Sequence, residues 1–365
     1  MAKSKAAGGP LAVTIDRAEL LRALTATTRA VESRNAYPIL SNVLLIAEPA
    51  ALTIRATDLD IEIAASAPAD VGSTGSTTVP AKTLLDIVRK FPDGAEVRLS
   101  LEGDALVVKA GRSRFQLPTL SADNFPDIQT GTFGEPFTTD LAELAGQVAF
   151  AISDDSARYY LNGVYLHTVN GRLRAVATDG HRLARADGDA VAPTLAGVIV
   201  PKKTVALLPP GPVQVEVSDT KIRVTAGAVT LVSKLIEGVF PDYDRVTPKN
   251  NDKLATVDRA SLLAAVDRVS IVASERGGKA VKVSASPGLL TLDVANAEGG
   301  SASEDVAADS EHEFVIGYNA GYLADILRAI GGGTARFAWN DPASPTVVTG
   351  DNDNLLMVCM PMRVA

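Results

Sequence analysis

From Asp16 the apolar residues Leu20, Leu24 and Val31 fall on one helical face, while Arg22 and Arg29 fall on the opposite one. Asp16 is suited to the N-cap, so an amphipathic helix is predicted to start there. The pattern then alternates in steps of two. Leu44-Leu-Ile, Leu52-Thr-Ile-Arg-Ala-Thr and Leu59-Asp-Ile-Glu-Ile-Ala are short runs parted by Pro49 and by acidic or small residues, the pattern of an antiparallel sheet. A second helix follows, with Leu84 and Val88 inward and Lys82 and Arg89 outward. Phe91-Pro-Asp-Gly stops it before two further strands, Glu96 to Leu101 and Ala105 to Lys109.

This succession recurs. Asp16-Arg-Ala-Glu-Leu-Leu returns as Asp140-Leu-Ala-Glu-Leu and Asp258-Arg-Ala-Ser-Leu-Leu. Val79-Pro-Ala-Lys-Thr returns as Val200-Pro-Lys-Lys-Thr and, more loosely, as Ile316-Gly-Tyr-Asn-Ala; Phe125-Pro-Asp-Ile returns as Phe240-Pro-Asp-Tyr. Ordered landmarks at one spacing, roughly 120 residues, indicate a duplicated unit the size of a domain rather than a solenoid repeat. Two helices and several strands per unit make an α+β domain in which a sheet packs one face on the helix pair.

A content of 46% apolar and 21% charged residues suits a soluble protein with core enough for three such domains. Met1–Pro10 has no apolar run and reads as a flexible tail, neither signal nor membrane anchor. A single cysteine, Cys359, cannot close an internal disulfide, and with His167, His181 and His312 it matches no zinc spacing. No metal or cofactor is expected, and the cytoplasm is the natural compartment. The net charge of −8 argues against wrapping nucleic acid tightly but leaves room for a locally positive surface. The second helices carry Lys82, Arg89 and Lys90, then Lys202 and Lys203, then Arg328, whereas the first helix of the middle repeat has Glu143 and no cation. Such cations either face water or line a shared basic surface.

No Walker loop, dinucleotide fingerprint, nucleophile elbow or H-E-x-x-H is present. Asp58, Asp60 and Glu62 alternate on a predicted strand, where they could hold magnesium or simply face solvent. Asp351-Asn-Asp-Asn reads as a turn, lacking the glycine and distal glutamate of a calcium loop. Thr178-Asp-Gly-His-Arg-Leu183 superficially resembles a catalytic loop; it lacks a nucleophile and reads as a turn beside a strand. Arg158-Tyr159-Tyr160 offers chemistry that stacks on bases, or half-buried packing. Met360-Pro-Met-Arg suits either an adaptable peptide-binding surface or a last core strand.

Taken in order, Thr78-Val-Pro-Ala-Lys-Thr-Leu-Leu-Asp-Ile, the Gly111–Ile128 stretch, Arg158-Tyr-Tyr-Leu-Asn-Gly, Val176-Ala-Thr-Asp-Gly-His-Arg-Leu, Val198-Ile-Val-Pro-Lys-Lys, Phe240-Pro-Asp-Tyr-Asp-Arg-Val and the closing Met360-Pro-Met-Arg closely resemble the bacterial DNA polymerase III beta subunit family, the sliding clamps. The resemblance spans nearly the whole chain. It implies a DNA clamp fold of three similar domains, 11–131, 132–254 and 255–365, and a head-to-tail homodimer closing a six-domain ring with the helices lining the hole. Simple geometry agrees: domains roughly 35 Å across leave a hole of roughly 35 Å when six touch in a circle, while three or four leave too little for a duplex about 20 Å wide. The implied function is that of a processivity factor without catalysis of its own. It would bind double-stranded DNA irrespective of sequence. Short linear peptides of the DNA polymerase III catalytic subunit, the clamp loader, other polymerases and repair proteins would dock on it, and no membrane is involved.

Carried over residue by residue, the resemblance assigns DNA contact to Arg34, Arg158, Tyr159, Tyr160, Lys202 and Lys203, with Asp154 and Asp155 weakening the grip nearby. The partner pocket would take Leu161 together with Thr178, Gly180, His181, Arg182 and Leu183. It would add Pro241, Arg245 and Val246, then Asn319 and Tyr322, and finally Met360, Pro361, Met362 and Arg363. The family usually ends in leucine; here Val364 and an extra Ala365 follow. The dimer seam would set Arg112, Arg114 and Phe115 of one chain against Ile271, Val272, Glu298 and Glu304 of the other. Two rival readings remain: a magnesium-dependent nuclease or phosphotransferase using Asp58, Asp60 and Asp179, and a monomeric scaffold that binds peptides only.

Overall fold

The computed structural model describes residues 11–32, 34–273, 279–296 and 299–364. The predicted tail 1–10, Glu298 of the predicted seam and the terminal Ala365 lie outside the described residues. The chain divides into two compact units, Met1–Thr138 with Leu207–Leu235, and Thr139–Ala206 with Ile236–Ala365. All described strand pairings are antiparallel.

Among the described residues six α-helices begin where the repeated landmarks place them: α1 Arg17–Thr27, α2 Ala81–Lys90, α3 Leu141–Gly146, α4 Lys202–Leu207, α5 Arg259–Val269 and α6 Ala320–Ile330. The recurring aspartate is the N-cap in all three copies. Asp16 accepts from the Ala18 N–H, Asp140 from Glu143 and Asp258 from Ser261, satisfying donors the helix leaves open. The arginine after it does a second job. Arg17 donates to the Val88 and Arg89 carbonyls at the end of α2, and Arg259 donates to the Leu327 and Gly332 carbonyls at the end of α6. A cation on the open carbonyls of a helix C-terminus stabilises the pairs α1 with α2 and α5 with α6. In the middle copy this position is the buried Leu141, and both helices are short; Pro209-Pro210 forbids α4 to continue.

Leu20, Leu24, Leu84 and Val88 are fully buried, while Arg22, Arg29, Lys82 and Arg89 are exposed, as the periodicity predicts. Val31 corrects the first helix: α1 stops at Thr27, and Val31 is extended beyond a 3-10 turn. The Thr27 and Thr28 hydroxyls bond back to the Ala23 and Leu24 carbonyls and compete with further helical bonds.

In the first unit a five-stranded sheet runs Asp70–Ser73, Ala12–Asp16, Glu96–Glu102, Ala105–Ala110, Ser113–Pro118. A second sheet joins Val213–Val217, Lys221–Ala226 and Val229–Lys234 to Ile61–Pro68 through the pairing of Leu231 with Ile63. It then continues to Ala51–Thr57, Asn42–Glu48 and Gly75–Pro80. The strands of the middle repeat are thereby shared: four, counting Phe137–Thr139 at the edge beside Val213–Val217, complete this sheet, and the rest belong to the other unit. That unit holds one twelve-stranded sheet, in which Arg182–Val191 pairs with Leu355–Cys359.

The predicted strand from Leu59 begins only at Ile61. Residues 58–60 form a turn in which Leu59 takes φ +83°. Glu62 is not solvent-facing. It is fully buried, ion-paired with Arg55, and accepts the Ile128 N–H at 3.2 Å. Asp351-Asn-Asp-Asn is the expected turn, between Thr346–Thr349 and Leu355–Cys359.

Candidate functional site

The second unit gathers the residues of the predicted partner pocket. Thr178 ends one strand and Arg182 starts the next, and the turn between them is built by short side chains. The Thr178 hydroxyl donates to the Arg182 carbonyl at 2.7 Å, and one Asp179 carboxylate oxygen accepts the His181 and Arg182 N–H groups at 2.9 and 3.0 Å. Gly180 has φ +89°, the left-handed region in which a side chain is strained. This exposes His181 and turns the Arg182 side chain onto α6. Its guanidinium binds Asp179 at 3.1 Å and Asp325 at 2.6 Å, and lies 4.5 Å from the centre of the Tyr322 ring and 5.3 Å from that of Phe150. The His181 and Tyr322 rings stack, 21° from parallel. Asn319 N-caps α6 by accepting the Tyr322 N–H, which fixes this ring at the first turn.

The chain end closes the other side. The Met360 N–H donates to the His181 carbonyl at 2.9 Å, and the Met362 N–H donates to the Gly317 carbonyl at 2.8 Å. A Cβ at residue 317 would collide with the Met362 carbonyl oxygen and with Val364, so only glycine admits this docking. The looser third landmark therefore has a cause: Gly317 stands where the other copies have Pro80 and Pro201. Cys359, at the end of the last strand, is fully buried, and its thiol is pushed up to about 12 by burial, so it stays an inert packing group.

Leu161, Val176, Leu183, Ile199, Phe240, Tyr243 and Val358 form one buried apolar cluster beneath this rim. Met360 (41%) and Val246 (57%) remain exposed above it, as do Pro241, Arg245 and Arg363. An apolar floor with exposed thioether, aromatic and guanidinium groups can take up apolar side chains of an extended peptide while hydrogen bonds at the rim orient it. Phe150, Asp325, Phe240 and Val358 belong to this constellation but escaped the sequence reading. Only Phe240 carried a signal, through the repeated Phe-Pro-Asp.

Five of the candidate DNA contacts belong to the same unit. Arg158, Tyr159 and Tyr160 occupy the 3-10 segment Ser156–Leu161, with Tyr159 54% exposed and its ring edge-on to Tyr160. Lys202 and Lys203 open α4 and are exposed. The nearby carboxylates are engaged: Asp154 binds Lys202 at 2.6 Å and Asp155 binds Arg158 at 2.9 Å. The Ala157 N–H, then Arg158, holds the Asp155 carboxyl below its ordinary range. Arg34, in the first unit, is exposed.

The candidate seam residues lie on open strand edges and an exposed turn. In the first unit Ser113–Pro118 is the last strand of its sheet; Arg114 pairs with Glu102, Phe115 packs on Phe91, and Arg112 is exposed at the preceding turn. In the second unit Ser301–Ala307 pairs with Leu289–Ala295 on one side, and among the described pairings its other side is open. Glu304, on this strand, pairs with Arg268, which holds its carboxyl below the ordinary range. Ile271 is 82% exposed on the 3-10 turn Ser270–Val272, and the Val272 carbonyl accepts from Asn296.

The turn at 178–182 has a counterpart in the first unit. The Thr57 hydroxyl donates to the Ile61 carbonyl, and Asp58 accepts the Asp60 and Ile61 N–H groups. Two positions beside this turn differ: the half-buried Arg55 and the buried Glu62 stand where the second unit has the buried Val176 and Leu183. Arg55 also binds Asp127 at 2.9 Å, and Lys221 and Arg223 donate to the carbonyls of Ile128, Gln129 and Thr130. In the first unit this place is thus occupied by ion pairs and by the backbone of residues 128–130. Of the carboxylates in the nuclease reading, Asp58 caps this turn, Asp60 binds Lys234 at 3.0 Å, and Asp179 binds Arg182. Among the described residues no three His, Cys, Asp or Glu side chains converge as a metal site.

Residues 11–129, 137–242 and 244–363 match, in turn, the N-terminal, central and C-terminal domain families of the DNA polymerase III beta subunit. The beta sliding clamp of Caulobacter vibrioides is 47% identical, over 96% of this chain and 100% of its own. A crystal structure of the DNA polymerase sliding clamp from Caulobacter crescentus is similar at a TM-score of 0.92 and 45% identity, covering 97% of this chain and 100% of its own. The sliding clamp from Bartonella birtlesii bound to griselimycin is similar at 0.93 and 40%, covering 98% and 100%.

Proposed function

The chain belongs to the DNA polymerase III beta subunit family, and from that premise we propose how it works as the processivity factor of a replicative polymerase, a sliding clamp. Two copies meet head to tail, each open edge at Ser113–Pro118 continuing as a ladder along the Ser301–Ala307 edge of the other copy. Phe115 and Ile271 supply the apolar centre of that seam, and Arg112, Arg114 and Glu304 its charged rim. The domains run 11–131, 132–254 and 255–365, and six of them enclose duplex DNA. The ring is non-catalytic and works in the cytoplasm. Among the described residues no helix is long and apolar enough to cross a membrane. Peptides of the polymerase catalytic subunit, the clamp loader and repair proteins dock on the Leu161, Leu183, Tyr322 and Met360 surface.

The observation that carries this reading is the pairing of Lys202 with Asp154 and Arg158 with Asp155. A protein that held DNA by phosphate contacts would present such cations free, since each neutralised phosphate adds affinity. A tether that slides needs weak contacts and retention by topology. Complexes loaded on nicked circles should therefore survive high salt and be lost on linearisation. Equal, steep salt sensitivity on circles and linear fragments would refute encirclement. The nuclease reading finds no support.

A further inference from the structure

Pro241, Arg245 and Val246, assigned above to the wall of the peptide site, sit on a segment whose attachment to the sheet is specific. Phe240 (8% exposed) and Tyr243 (6%) turn inward onto the strand Gly163–Val169. Tyr165 lies flat against Phe240, with centroids 4.8 Å apart and planes 3° from parallel, and against His167, also at 4.8 Å. His167 in turn meets Tyr243 edge-on at 5.7 Å. Four rings thus clasp the segment along one strand.

A polar chain fastens the clasp. The Tyr243 hydroxyl oxygen lies 2.9 Å from His167 Nε2 and accepts an Arg174 N–H at 3.2 Å. Arg174 is held by both oxygens of Asp187. A guanidinium can only donate, so the Tyr243 O–H is left to give its proton to His167 Nε2. That requires a neutral imidazole with its proton on Nδ1. An imidazolium would present N–H to the same oxygen, strand the hydroxyl proton and add a second cation beside Arg174.

The charged groups around the ring weigh the same way. Burial, then Arg174 on the neighbouring strand, disfavours the imidazolium; Asp244, next to Tyr243, and Asp187, on the strand beyond Arg174, oppose them, and the net is a His167 pKa below its ordinary value. Burial works against the Arg174 charge as well, but Asp187 and the Tyr243 hydroxyl keep it ionised throughout.

We propose that His167 and Arg174, acting through Tyr243, are positioning residues of the partner pocket: neutral His167 holds residues 240–246 in the peptide-binding pose, and protonation of His167 releases them and weakens binding. This rests on the reading that 241–246 forms a pocket wall. The sign follows from linkage. Peptide affinity is constant where His167 is neutral and falls as pH drops through its lowered pKa, by at most about tenfold per pH unit.

The test uses the full-length dimer and a fluorescein-labelled peptide of the polymerase III catalytic subunit chosen for binding the wild-type protein. His181, an exposed residue of the pocket itself, is kept in every protein, so that its contribution is common to all the profiles. With His167 intact, Kd should rise between about pH 7.5 and about pH 5.5 by less than the roughly tenfold that an unshifted imidazole would give, because the His167 pKa is lowered. His167→Gln should flatten that profile, and Tyr243→Phe, which keeps the ring but cuts the chain, should weaken binding several-fold at the higher pH and flatten it too. In the protein with His167 intact, peptide should lower the NMR-monitored His167 pKa, a readout that needs no destabilising variant. Parallel pH profiles with and without His167, or an unmoved His167 titration on peptide binding, would overturn the proposal. If no such peptide binds the wild-type protein at all, the pocket reading fails instead.

Discussion

Replacing Glu62 by leucine tests the claim that in the first unit a charge cluster takes the place of the second unit's apolar floor. Glu62 is fully buried, its partner Arg55 is 17% exposed, and only Asp127 (46%) of the three reaches water freely. Removing one member of a buried pair typically costs about 3–5 kcal/mol, because the remaining charge stays desolvated. Arg55 keeps Asp127 at 2.9 Å, which puts the loss at the lower end, about 3 kcal/mol. At about 2–4 °C per kcal/mol for a body of this size, the midpoint of the affected transition should fall by about 6–12 °C. Adding Arg55→Val removes the stranded cation and installs the pair that the second unit carries as Val176 and Leu183. The double variant should recover about half the loss, the residue being the Ile128 N–H left without its acceptor, about 1–3 kcal/mol. Scanning calorimetry at fixed protein concentration reads this, with the lower transition compared between proteins because two units need not melt together. A Glu62→Leu midpoint within about 1 °C of wild type, or a double variant no better than the single, would refute the reasoning.

Two further outcomes are expected. Deleting residues 360–365 removes both backbone anchors of the chain end, to His181 and to Gly317, and should abolish binding of polymerase peptides while leaving the dimer mass, twice 37.9 kDa, unchanged in sedimentation; unaltered peptide affinity would take the chain end out of the pocket. Ile271→Arg places a charge where the seam is proposed to be apolar and should yield a 37.9 kDa monomer that no longer stays on circular DNA, whereas a persistent dimer would move the seam elsewhere.

The repeated Asp, the burial of Leu84 and Val88 and the turn at 178–182 were legible because each is decided within a few residues: a cap, a helical face, a glycine at positive φ. Glu62 was not. Alternation marked it as one of a row of carboxylates, and nothing nearby in sequence announces that Arg55 and the Ile128 N–H converge on it. The continuity of the first unit's second sheet was hidden for a related reason. Pairing of Val229–Ser233 with Ile61–Ala65 is set by which open edge is available, a non-local matter that leaves no period in the sequence. At the candidate site, the motifs located His181, Arg182 and the closing methionines. Asp325 and Phe150, which hold the Arg182 side chain, belong to no repeated landmark and became visible only in three dimensions.

Duplication also accounts for the place of the proposed pocket. Thr57, Asp58 and Leu59 fold as Thr178, Asp179 and Gly180 do, down to the positive φ, so the frame is common to both copies. The chemistry lies in the departures from it. Val176 and Leu183 replace Arg55 and Glu62, which turns a charge-locked seam into an apolar floor; Gly317 replaces the proline of the other copies, which lets the chain end dock by a backbone bond. Glycine in place of Leu59 relieves the strain of that turn and leaves His181 free to stack on Tyr322. Each change alone has a local cost or benefit, but they meet on one surface. A site built from the points at which repeats diverge occurs once per chain, so the proposed two-copy ring would offer two.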